Sequence, residues 1–195
     1  MPNSLEGTRT AENLAKAFIE ESQVGDKYLF FARIAEGQGY PTIGKQYREV
    51  ADQEHGHAEA FYIYLTEGLA DPVLTIPVSV EAKQGTTSEN LYFTTLHEYD
   101  ACNTYNSYGE IAMEEGFESI GRSFFAIAQV AQRHFLQFHD LLQRYQSDML
   151  YKAAHKVIWE CIVCGYHFKG FEAPRVCPGC LRKRAYFKIG CEVPY

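Results

Sequence analysis

Glu54 and His57, within ADQEHGHAEAF (51–61), stand three residues apart. On a helix this spacing puts a carboxylate and an imidazole on one face, where they can bind one metal ion or two adjacent ions. His134, within AIAQVAQRHFLQF (126–138), repeats the frame, except that the residue three before it is Ala131. Taken alone, His134 reads as an ordinary hydrogen-bonded core histidine. A second chemistry lies near the end of the chain, where WECIVCGYHFKG (159–170) and CPGC (177–180) give C-x2-C, a twelve-residue spacer and C-x2-C. Two such loops set Cys161, Cys164, Cys177 and Cys180 as four thiolates around one ion, which replaces a core in so short a module. Iron and zinc both accept four sulfurs, and spacing does not separate them.

The elements that must carry the first set are legible as a duplication. Residues 10–61 align with 87–138 without a gap at an offset of 77, TAENL on TSENL and IAEGQGYPTIGKQY on IAMEEGFESIGRSF. Glu21 falls on Glu98, Tyr28 on Tyr105, His57 on His134, and Glu54 on Ala131. Each half reads as two long helices, with Thr10 or Thr87 as N-cap, Gly39 or Gly116 at the turn, and Pro41 in a first helical turn.

The inward seams follow from steps of three and four. They are Leu14, Phe18, Glu21, Gly25, Tyr28, Ala32 and Ala35 in the first helix, and Ile43, Tyr47, Val50, Glu54, His57 and Phe61 in the second. The third gives Leu91, Thr95, Glu98, Cys102, Tyr105 and Ala112; the fourth gives Ile120, Phe124, Ile127, Ala131, His134, Phe138, Leu141 and Tyr145. Between the halves GLADPVLTIPVSVEAKQGTTS, with Pro72 and Pro77, reads as a connector that can cross the length of a four-helix bundle. After Ser147 the pattern weakens through DMLYKAAHKVIW, read as a hinge, so the domains are expected at 1–150 and 151–195.

Three carboxylates on buried seams, Glu21, Glu54 and Glu98, each cost several kcal/mol unless protonated or paired with a cation or metal. Lys27 and Lys45 lie off the inward stripe, so metal is the simplest compensation. With the acids in one layer, His134 becomes a ligand by its superposition on His57. Carboxylate and imidazole suit iron or manganese, and zinc also binds such a set. Tyr28 and Tyr105, one to two turns from the acids, read as packing groups with satisfied hydroxyls or as hydrogen-bond donors to a bound oxidant. Cys102 reads as a small buried hydrophobe and Cys191 as a bystander. His55, His97, His139, His155 and His167 lack the support of the repeat.

Composition narrows the partners. An apolar content of 46% over 195 residues supports one good core and a small satellite. Dispersed acidic residues and a net charge of −7 argue against nucleic acid or an anionic membrane. No apolar run has membrane-spanning length, and MPNSLEGTRT lacks a signal-peptide pattern, so a cytoplasmic location is expected.

GTRTAENLAKAF, EESQ, ADQE with His57, EEGF, WECIVCGY and CPGC together resemble the rubrerythrins, over nearly the whole chain. Trp159, Tyr166, Phe168 and Phe187 around the cysteines resemble a rubredoxin more than a generic zinc ribbon. The resemblance implies an all-α, ferritin-like four-helix bundle with a small C-terminal rubredoxin-like metal domain. It implies a peroxidase that reduces hydrogen peroxide to water at a di-iron site. Electrons would come from the tetrathiolate iron and an NAD(P)H-linked reductase or separate rubredoxin. It also implies a homodimer in which one subunit's rubredoxin domain serves the other's bundle.

By matching position, the di-iron ligands would be Glu21, Glu54, His57, Glu98 and His134. The single iron would sit on Cys161, Cys164, Cys177 and Cys180. Two departures stand out. The family's bridging Glu of the fourth helix is Ala131 here, and its further third-helix Glu is Ala101 in straight register, or Asp100 if the helix bulges. The bundle could therefore hold two irons or one. The alternative to a peroxidase is an electron-transfer or metal-binding protein with a one-metal or inactive bundle. A third reading is another oxidation that uses the space at Ala131.

Overall fold

The computed structural model describes residues 4–71 and 73–190, so Pro72 and Cys191 lie outside the described residues. Four long helices come first: α1 (Arg9–Gly37), α2 (Pro41–Gly68), α3 (Thr87–Glu114) and α4 (Glu118–Gln146). α1 packs on α2 and α3 on α4, each pair an antiparallel hairpin, and the described residues of the connector between α2 and α3 carry no regular structure. A small antiparallel sheet follows, with strand order β2-β1-β3: β1 (Lys152–Cys161), β2 (His167–Glu172) and β3 (Phe187–Ile189).

The duplication persists in three dimensions. Gly39 and Gly116 close the two hairpins at φ +91° and +85°, a left-handed turn that needs no Cβ. Gly44 and Gly121, also 77 apart, let the helices of each hairpin approach. A Cβ would stand 3.0 Å from the Ala32 carbonyl at Gly44 and 3.0 Å from the Gly109 carbonyl at Gly121. Two aromatic cages flank the middle of the bundle: Tyr28, Phe31, Tyr47 and Phe138 on one side, Tyr105, Tyr108, Phe124 and Phe61 on the other. Each member maps onto its counterpart by the same offset.

Three expectations need correction. The N-caps are Thr8 and Thr86, whose hydroxyls accept from the Ala11 and Glu89 amides. Thr10 and Thr87 sit inside the first turn instead and reach across to the other hairpin, Thr10 to Glu115 and Thr87 to Gln38. The segment read as a hinge is mostly the ten-residue strand β1, which forms because β2 and β3 pair with both of its edges. The turn is confined to the start of that segment, at Asp148 with φ +56°. Cys102 is only half-buried, off the packed seam of α3, beside Asn106.

Candidate metal centres

Each helix delivers one or two polar groups to a single buried layer. Glu21 comes from α1, Glu54 and His57 from α2, Glu98 from α3 and His134 from α4. Glu21, Glu54 and Glu98 are 5%, 4% and 2% exposed and His134 is 1%, which is burial that unpaired charges do not survive. They fall into two trios, Glu21 with Glu54 and His57, and Glu54 with Glu98 and His134, each with ligand atoms within 4.8 Å of one another. Glu54 belongs to both. Its Oε2 is 2.8 Å from His57 Nδ1, and its Oε1 is 3.0 Å from His134 Nδ1. Glu21 Oε2 lies 3.6 Å from His57 Nδ1, and Glu98 Oε2 lies 3.5 Å from His134 Nδ1.

The donor set fits divalent metal on two counts. Glu54 Oε1 and His134 Nδ1 are buried, face each other and have no hydrogen-bond partner, as expected of two lone-pair donors aimed at a common point. Protons, moreover, are the other way to balance the acids. Burial, then the charge of Glu54, pushes Glu21 up to about 8. Burial likewise raises Glu98. Burial disfavours the charged imidazoles, yet the adjacent carboxylates outweigh it, Glu21 and Glu54 lifting His57 to about 10 and Glu54 and Glu98 lifting His134 to about 9. Burial raises Glu54 too, but its contacts with His134 and His57 win and hold it below the usual carboxylate range. These protons stand where cations would.

Both tyrosines line this layer. Tyr28 donates to Glu98 Oε1 at 2.6 Å, and burial followed by the Glu98 charge holds its phenol well above the ordinary range. Tyr105 is buried near Glu21, its hydroxyl without a well-formed hydrogen bond, and its ring lines a surface hollow with Lys16, Glu20, His97, Asp100 and Tyr108. α3 is α-helical throughout, without a bulge, so Asp100 is exposed in that hollow rather than among the acids. Ala131 is buried at the layer and contributes a methyl.

The other histidines lie elsewhere. His55 covers Gly25 and stands 3.7 Å from Asp26; His97 is 3.6 Å from Glu20; His139 stacks on Phe135. Sequence reasoning missed Gln53, whose amide oxygen is 2.9 Å from His134 Nε2. Its place beside Glu54, within ADQE, was the signal available.

The four cysteines of the C-terminal module also converge, with sulfurs within 4.8 Å and the pairs Cys161–Cys180 and Cys164–Cys177 each 3.6 Å apart. Four sulfurs ~2.3 Å from a common centre would be roughly 3.8 Å apart. Two matching turns present them. In the first, the Cys161 amide donates to the Tyr166 carbonyl and the Gly165 amide to Cys161. In the second, Cys177 donates to Arg182 and Leu181 to Cys177. Burial raises the Cys177 thiol, but amide donors from Cys180 and Gly179 bring it down to about 7. Trp159 and Phe187 form the core beneath, with the Trp159 indole donating to the Gly170 carbonyl, whereas Tyr166 and Phe168 are partly exposed.

Comparison with known proteins bears on both centres. Residues 12–87 match the rubrerythrin family and 159–188 the rubrerythrin rubredoxin-like domain. Rubrerythrin-1 of Clostridium acetobutylicum is 38% identical, over 97% of this chain and 98% of its own. Rubrerythrin of Nitratidesulfovibrio vulgaris is 33% identical, over 95% and 96%. Among solved structures, fully reduced nigerythrin superposes with a TM-score of 0.63 at 23% identity, covering 96% of this chain and 92% of that one. Desulfovibrio desulfuricans bacterioferritin gives 0.65 at 18% identity over 72% and 82%. The fold is thus a ferritin-like four-helix bundle followed by a rubredoxin-like module, and its two donor sets fit non-haem iron. No helix among the described residues is long and apolar enough to cross a membrane.

Proposed function

Because the chain belongs to the rubrerythrin family, we propose that it reduces hydrogen peroxide to water in the bundle, fed by the tetrathiolate iron. Glu21, Glu54, His57, Glu98 and His134 would hold the bundle iron, and Cys161, Cys164, Cys177 and Cys180 the single iron. The observation that carries this reading is the sharing of Glu54 between two buried trios, which suits two adjacent ions. Two non-haem irons held by the bundle residues would supply the two electrons that, with two protons, convert peroxide to two waters, and an iron held by the four cysteines would supply one-electron re-reduction.

The chain's own groups prepare this chemistry. Tyr28, kept protonated, holds the Glu98 carboxylate in one orientation. The two aromatic cages keep bulk water from the layer. The hollow at Tyr105 would be where a small oxidant approaches, and Tyr105 would be a hydrogen-bond donor there. Electrons would enter from an NAD(P)H-linked reductase or a rubredoxin, in the cytoplasm, with the working unit a homodimer whose rubredoxin-like module serves the partner's bundle.

Reduced, iron-loaded protein should reoxidise on one equivalent of peroxide per bundle, much faster than on oxygen. A second reading, a metal-binding or electron-transfer protein with an inactive bundle, is favoured by the methyl of Ala131 and the outward Asp100. It predicts that the tetrathiolate iron cycles while peroxide leaves the bundle unchanged.

A further inference from the structure

We propose that Gln53 is a positioning residue: its amide oxygen holds His134 in the tautomer that carries hydrogen on Nε2, so that Nδ1 presents its lone pair to the ion beside Glu54 and Glu98. The proposal rests on the metal-centre reading above. Gln53 Oε1 lies 2.9 Å from His134 Nε2. An amide can turn either end toward a ring, but here the choice is settled by a third group. Arg133 Nη2 stands 3.3 Å from the same atom. A guanidinium only donates, so the shared atom is the oxygen, and the ring nitrogen facing it must carry the hydrogen. A neutral imidazole then has its only lone pair on Nδ1, the atom 3.0 Å from Glu54 Oε1 and 3.5 Å from Glu98 Oε2. A metal-bound imidazole whose second nitrogen donates to an oxygen is fixed in orientation and made more basic, an effect worth about 10–100-fold in metal affinity.

This support belongs to one half of the centre. The residue 77 positions on from Gln53 is Val130, which offers His57 no acceptor. The two imidazoles that the repeat makes equivalent are therefore held differently.

Gln53 is exposed, so its replacement does not disturb the core. Zinc is titrated into the full chain, against a chromophoric chelator, for wild type, Gln53→Leu and Gln53→Glu. One bundle ion should loosen about tenfold in Gln53→Leu while the other is unchanged, and Gln53→Glu, which keeps an acceptor, should restore it. In the zinc-loaded protein a slowly exchanging proton on His134 Nε2 should be visible by NMR in wild type and Gln53→Glu and absent in Gln53→Leu. Unchanged zinc affinity in Gln53→Leu, or hydrogen on Nδ1 of His134 in wild type, overturns the proposal. Wild type that takes up only one bundle ion overturns the two-ion reading instead, and the His134 resonance still decides the role of Gln53.

Discussion

His134 Nδ1 stands 3.0 Å from Glu54 Oε1, yet neither atom is hydrogen-bonded, while the other oxygen of Glu54 is 2.8 Å from His57. One carboxylate thus serves both halves of the centre. Glu54→Ala should therefore cost both bundle ions, whereas Glu21→Ala or Glu98→Ala should cost one. Metal analysis per chain, after correction for the tetrathiolate site, checks this; equal losses in all three variants would contradict the shared role.

Ala131→Glu restores the residue that the repeat and the family would place one turn before His134. If the missing carboxylate limits the site, the variant should hold its second ion more tightly and reoxidise faster with peroxide. Wild type that already holds two irons tightly and turns over fast, with no gain in the variant, would show that Ala131 is no defect.

The two cysteine turns share a left-handed position but fill it differently. Gly165 and Leu181 follow Cys164 and Cys180 at φ +72° and +61°, and Leu181 is 79% exposed, so it is strained without packing in return. Left-handed backbone costs a side-chain-bearing residue about 1–2 kcal/mol, of which the flexibility of glycine in the unfolded chain returns part. Leu181→Gly should stabilise the metal-loaded module by about 0.5–1 kcal/mol, and Gly165→Ala should destabilise it, both read from denaturant midpoints.

Removal of the tetrathiolate metal should unfold one module and spare the other. The single tryptophan, Trp159, is fully buried in the small sheet. Cys161→Ser or a strong chelator should shift its emission to longer wavelength, while the helical signal of the bundle in circular dichroism is kept.

Glu115 links the two hairpins, accepting from the Arg9 and Thr10 amides and the Thr10 hydroxyl, as Gln38 does for Thr87. Burial pushes its pKa up, but these donors outweigh it and hold the carboxyl below its ordinary 4.5. A lowered folded value means that the stabilisation is fully present above 4.5 and is lost as pH falls through the folded value. The half-exposed site limits it to about 1 kcal/mol. Glu115→Ala should lose that amount at neutral pH. Glu115→Gln, a copy of Gln38, should keep most of it and flatten the acid limb of a pH-dependent melting curve.

The order of residues determined a great deal by itself. The 77-residue repeat set the helices and their turns, because the steps of three and four that bury one face also fix where Glu21, Glu54, Glu98 and His134 point. Two C-x2-C loops determined a four-sulfur site, since ligand spacing there is local and needs no partner from afar. Other features were decided only in three dimensions. Periodicity assigns a side chain to a face but not its reach across the bundle, which depends on how closely and at what rotation the helices pack. Hence the sharing of Glu54, the outward Asp100 and the half-buried Cys102 were not legible. Strand β1 was hidden for a related reason: KAAHKVIWEC has little alternation of its own and becomes a strand because β2 and β3 satisfy its backbone on both edges. The contact of Gln53 with His134 joins residues 81 apart on different helices, and only the placing of α4 beside α2 in the folded bundle brings an exposed amide to a buried ring.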